Sequence, residues 1–158
     1  MATIKYSTGL RNEIGKAGGK SYADALANGK IHLFQGTIPT SADAAEGVSP
    51  SVIITLASGA FTFGAATNGI NFDVAASGIV AQNSGEVWSG LGLIAGAITW
   101  GRFYGNAGPV GASTTAIRLD FDVSTSGAAL NMGSTTVAVD GVVTINSPTL
   151  TIPATVVA

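Results

Sequence analysis

Thr115-Ala116-Ile117-Arg118-Leu119-Asp120-Phe121-Asp122-Val123 alternates without a break. Ile117, Leu119, Phe121 and Val123 fall on one side, and Arg118, Asp120 and Asp122 on the other, the period of a strand with one face on a core. The same period recurs along the chain. Gly69-Ile70-Asn71-Phe72-Asp73-Val74 repeats it with Ile70, Phe72 and Val74 inward, and Ile31 to Phe34, Val52 to Leu56, Ile98 to Tyr104 and Leu150 to Ile152 are further strands. Asp140-Gly141 stands between Thr136–Val139 and Val142–Ile145, a two-residue hairpin signal. Strands at this spacing, divided by Gly, Ser, Asn and Pro and without βαβ alternation, predict an all-β chain of about eight strands. The expected architecture is an antiparallel β-sandwich, jelly-roll-like, with a short helical N-terminal arm.

That arm is set apart by charge. Residues 1–30 hold five basic and two acidic residues, and the rest hold two basic and seven acidic, with no lysine after Lys30. The division expected is a basic arm over 1–29 ahead of a sparsely charged β-body over 30–158. Ser7 or Thr8 can cap a turn that stacks Leu10 on Ile14, and Gly18-Gly19 ends it. Ser21 can cap a second helix through Tyr22, Ala25 and Leu26, stopped by Asn28-Gly29. Helices this short are not stable alone, so they must dock, either on their own domain or on a neighbouring subunit. On the second reading, Leu10, Ile14, Tyr22 and Leu26 supply the apolar part of an interface, and Arg11, Lys16 and Lys20 guide it.

Composition points to a structural part rather than to a chemistry. Charged residues make up 10% of the chain, against about 25% in an ordinary soluble domain, and so neutral a surface favours association. There is no cysteine, so neither a disulfide nor a cysteine metal site can form. The first residues lack the continuous apolar core of a signal peptide. The longest uncharged span, Gly47 to Phe72, is broken by Ser, Thr, Pro, Asn and Gly, so no membrane span is expected. A net charge of −2 gives no reason to expect a specific nucleic-acid partner.

His32 is the single histidine and stands inside a strand, with no serine in a nucleophile elbow to act on. Asp120 and Asp122 could suit calcium, but Arg118 shares their face, and a surface salt link is the economical reading. Gly90-Leu91-Gly92-Leu93-Ile94-Ala95-Gly96 departs from a dinucleotide loop, because its last glycine comes one place late and no helical pattern comes after it. It reads as a flexible connection between Trp88 and Trp100, which are core or interface anchors. Pro39 to Gly47 can hold one helical turn capped by Ser41 or Thr40. No catalytic residue, cofactor or metal site is expected.

Several phrases, in order along the chain, resemble small structural proteins of tailed bacteriophages. They include Ser7-Thr8-Gly9-Leu10-Arg11-Asn12, Ala27 to Pro39, Ser41-Ala42-Asp43-Ala44-Ala45, Ala97 to Phe103, Ile117-Arg118-Leu119-Asp120, Ser126 to Met132 and Leu150 to Ala154. The resemblance implies a non-enzymatic virion component assembled in the bacterial cytoplasm, a homo-oligomer whose partners are other virion proteins. Capsid decoration against the major capsid protein is the leading expectation, with a collar, connector or tail part second. A receptor- or glycan-binding module, reading through exposed Trp, Tyr and loop residues, is the alternative of a different class.

Overall fold

Short, β-branched and aromatic-rich segments between glycine-rich turns fold into strands. Among the described residues of the computed structural model (2–73, 76–77, 79–108, 110–146 and 148–151) there are twelve strands and two helices. In chain order they are β1 (Ile4–Tyr6), α1 (Thr8–Gly15), α2 (Tyr22–Leu26), β2 (Lys30–Phe34), β3 (Val52–Leu56), β4 (Ile79–Ala81), β5 (Trp88–Leu91), β6 (Gly96–Ala97), β7 (Trp100–Tyr104), β8 (Arg118–Ser124), β9 (Leu130–Asn131), β10 (Thr136–Val137), β11 (Val142–Ile145) and β12 (Thr149–Thr151). The chain is mostly β. Eight strands form one sheet in the order β1-β8-β7-β2-β3-β5-β11, antiparallel except for β9, which pairs with β8 in parallel. Two ribbons, β6 with β10 and β4 with β12, complete it.

Alternation gives the sheet two unlike faces. Ile4, Leu119, Phe121, Phe103, Ile31, Leu33, Val52 and Ile54 lie on the inner face by register, and most of them are fully buried in one continuous core. Lys5, Asp120, Arg102, His32, Trp100 and Phe34 lie on the outer one.

The first 29 residues are not a detached arm. β1 pairs with β8 (Ile4 opposite Phe121, Tyr6 opposite Leu119). Ser7 caps α1, its Oγ accepting from the Leu10 N–H at 3.1 Å, and the same hydroxyl donates to the Ala116 carbonyl at 2.8 Å. Leu10 and Leu26 have no exposed surface and belong to the main core. The expected break at residue 29 therefore does not appear in the packing, because two short helices gain stability only from what they bury. Gly9 sets the closeness of that docking: a Cβ there would lie 2.3 Å from the Thr115 carbonyl oxygen. Gly9→Val is expected to cost about 1–3 kcal/mol, read as a lower denaturant midpoint.

Three assignments change. Gly90 and Leu91, expected in a flexible connection, belong to β5, which lies inside the sheet between β3 and β11 with Gly90 opposite Val143 and Leu91 opposite Val142. Gly69 to Asp73 forms only isolated bridges, Ile70 to Gly29 and Phe72 to Gln82. The ladder is displaced because the Asn71 N–H donates to Glu86 Oε2 at 2.7 Å, and its side-chain amide to Oε1 at 2.7 Å. Val74, and Ile152 of the expected Leu150–Ile152 strand, lie outside the described residues. At Asp140-Gly141 a turn does form, with the Gly141 N–H donating to the Ala138 carbonyl at 3.1 Å and Asp140 at φ 60°. Its flanks, however, do not pair with each other. β10 joins β6, and β11 joins β5. Gly92 draws them apart by accepting from the Asp140 N–H at 2.8 Å and donating to the Gly141 carbonyl at 2.9 Å.

Candidate functional site

One row crosses the outer face through Lys5, Asp120, Arg102 and His32, on four adjacent strands. Side chains of such size and polarity on a sheet must meet water or be covered. A strap, residues 36–50, covers them. Lys5 Nζ donates to the Pro39 carbonyl at 2.5 Å, and Arg102 Nη1 to the Ala44 carbonyl at 2.7 Å. Asp43 accepts from the Thr8 N–H at 2.8 Å and the Thr8 hydroxyl at 2.6 Å. The strap holds a single turn, in which the Ala44 N–H donates to the Ser41 carbonyl at 3.1 Å.

Beneath it, Arg102 and Asp120 form a two-pronged pair, Nε to Oδ1 at 2.6 Å and Nη2 to Oδ2 at 2.8 Å, with neither side chain exposed at all. The surface salt link expected at Asp120 with Arg118 is thus corrected. Asp120 bonds to Arg102 from the adjacent strand, and Arg118 is buried with its guanidinium 5.4 Å from the centre of the Tyr104 ring. A face read as solvated from alternation alone is buried because the strap lies on it. Asp122 belongs to the same protected edge, its Oδ1 accepting from the Thr3 N–H at 2.9 Å and the Ala129 N–H at 2.8 Å.

His32 is 4% exposed. Its Nδ1 lies 2.8 Å from Glu46 Oε1, and the Tyr104 hydroxyl donates to the same oxygen. The neutral imidazole that donates from Nδ1 leaves Nε2 as an acceptor, which has no partner among the described residues. Burial lowers the His32 pKa, and the positive charges of Lys30 and Arg102 add to this against the pull of Glu46. Burial pushes Glu46 the other way, but the bonds from His32 and Tyr104 prevail and hold it below the usual carboxylate range. The unfolded His32 titrates near 6.5, so in the window just below that value the unfolded chain binds a proton that the folded chain does not. Stability is then full above about pH 6.5 and falls as the pH drops toward the folded value, with Glu46 adding a loss of the same sign at lower pH. Melting temperatures of the wild type from about pH 8 to 5 should fall accordingly. His32→Gln should remove the first part of that fall, and an unchanged profile would refute the assignment.

The seven residues expected at an interface divide sharply. Leu10 and Leu26 face the protein's own core, and Ile14 and Tyr22 pack half-buried against it. Arg11, Lys16 and Lys20 are exposed, with Lys16 paired to Glu13 at 2.8 Å. The arm thus presents charge outward and spends its apolar side chains inward. Trp88 and Trp100 are both buried, the second stacked on Phe34 with ring centroids 4.1 Å apart, so neither offers a surface platform for a sugar. Arg102, Tyr104 and Glu46 escape a reading of the sequence. Their signal is Trp100-Gly101-Arg102-Phe103-Tyr104, where three large half-polar side chains share one face and require a cover.

Beyond the strap the outer face continues on β3, β5 and β11. There Thr55 and Ser89 are buried beneath residues 58–61, with Thr55 Oγ1 donating to the Gly59 carbonyl at 2.7 Å and the Ser58 and Ser89 hydroxyls 2.8 Å apart. The side toward β11 is left open. Leu91 is 46% exposed and Val142 70%, and the two are register partners. Among the described residues, no group of three or more His, Cys, Asp or Glu could hold a metal ion, and no helix is long and apolar enough to cross a membrane. Comparison with known protein families, with curated proteins and with solved structures finds no match to this chain.

Proposed function

We propose that the protein is a structural subunit of a phage virion, without catalytic activity, that joins other virion proteins as an oligomer. The observation that carries this reading is the exposed apolar cluster of Leu91, Leu93, Ile94 and Val142 beside the outer face, a surface of the kind that is covered in an assembly. The ordered phrases resembling tailed-phage structural proteins support it. So does the use of the polar groups: the single histidine, Glu46 and the Arg102–Asp120 pair hold the strap onto the sheet. The body is read as a jelly-roll-like sandwich, since Val80 of β4 and Val137 of β10 share one buried core with the large sheet. Within this reading, decoration of the capsid against its major protein comes first, and a collar, connector or tail position second. Counting copies in purified particles tests it. Hundreds of copies place it on the shell, roughly six or twelve in the neck or tail, and none overturns the reading.

A further inference from the structure

Apolar side chains stand together on the part of the outer face that neither the strap nor residues 58–61 cover. Leu91 and Val142 face out from β5 and β11, exposed Leu93 and Ile94 follow β5, and half-buried Ile53 continues the face on β3. A groove of about 270 Å³ runs beside them, walled by Lys30, Phe61, Leu91 and Leu93 among others.

Two charges stand at opposite corners of this otherwise uncharged surface. The Lys30 ammonium lies 4.6 Å from the centre of the Phe63 ring and 5.2 Å from that of Phe61, and it forms no ion pair among the described residues. Asp140 is exposed at the turn before β11 and likewise forms none. From β2 to β11 there are three strand spacings, and Asp140 lies four residues along from the Lys30 row, so the corners are roughly 20 Å apart. A second copy, turned over about an axis that lies between the two faces and crosses the middle of this diagonal, brings its Asp140 to Lys30 and its Lys30 to Asp140. The apolar rows between then meet their own equivalents. Such self-complementarity is what an isologous two-fold interface requires.

We propose that the patch of Ile53, Leu91, Leu93, Ile94 and Val142, which residues 58–61 leave open on the outer side of β3, β5 and β11, is a dimerisation surface, covered by a second copy of this chain through an apolar centre and two reciprocal Lys30–Asp140 pairs. This deepens the reading of the protein as an assembly subunit by naming the partner of its open face. A failure here is distinguishable from a failure of that reading, because it concerns the purified chain rather than the particle.

Sedimentation equilibrium of the purified full chain tests the proposal. The wild type is expected to be a dimer. Leu91→Lys and Val142→Lys, at positions already exposed and so harmless to the fold, should each weaken it by at least about tenfold by desolvating a charge in the apolar centre. Lys30→Glu and Asp140→Lys should each weaken self-association, while an equimolar mixture of the two variants should dimerise better than either alone, since every corner pair is then of opposite sign. A monomeric wild type overturns the proposal, even if that monomer still joins particles. So does a dimer indifferent to Leu91→Lys and Val142→Lys, or a charge-variant mixture that associates no better than its components when both variants keep the wild-type melting transition.

Discussion

Arg102→Ala should cost about 3–5 kcal/mol of stability, a large part of the roughly 5–15 kcal/mol that a domain possesses. The guanidinium donates to both Asp120 oxygens and to the Ala44 carbonyl, with no solvent reaching Arg102 or Asp120. Removing it leaves a buried carboxylate without its counter-charge and frees the strap at Ala44. The burial of the remaining charge, rather than the attraction lost, sets the size of the effect. Replacing both partners with apolar residues, Arg102→Met with Asp120→Leu, should therefore recover most of the loss. Urea midpoints of the single and double variants decide it. A single variant within about 1 kcal/mol of the wild type would mean that the pair is solvated.

Deleting residues 1–28 should abolish cooperative folding. The deletion removes an edge strand from β8 and uncovers the side of the core that Leu10 and Leu26 fill. Each leucine truncated singly to alanine should cost about 2–5 kcal/mol, and the deletion removes both at once with the strand. Charge reversal at exposed Arg11 or Lys20 should stay within about 0.5 kcal/mol. Thermal melts of the deletion and of the four point variants test this together. A sharp melting transition in the shortened chain would show that the segment is peripheral, and attachment through it would become the simpler account of its charge.

Most strands were legible because their signal is local. The alternation of Ile117, Leu119, Phe121 and Val123 puts these residues on one face whatever surrounds them, and Val52 to Leu56 matches β3 at both ends. The helix starts were legible for the same reason, since Ser7 and Ser21 each reach a backbone N–H three residues on. Gly69 to Asp73 was misread because a period of two does not reveal that a distant carboxylate, Glu86, will take the hydrogen bond a ladder needs. The turn at Asp140-Gly141 was right, yet its flanks chose other strands, since partner choice depends on which edges are free.

By itself, then, the sequence determined the all-β class, the positions of β2, β3, β7, β8 and β11, the starts of the two helices and the basic-to-acidic division of the chain. Each of these rests on residues a few positions apart. Only the tertiary structure decided what lies on each face of the sheet. Whether Asp120 is solvated or sealed depends on a strap some 75 residues earlier in the chain. Whether Leu10 is an interface or a core residue depends on β8, about 110 residues later. Alternation shows that two faces differ but not what covers them. Covering is a contact between distant segments, and it made the polar row under the strap part of the protein's interior while leaving Leu91 and Val142 exposed.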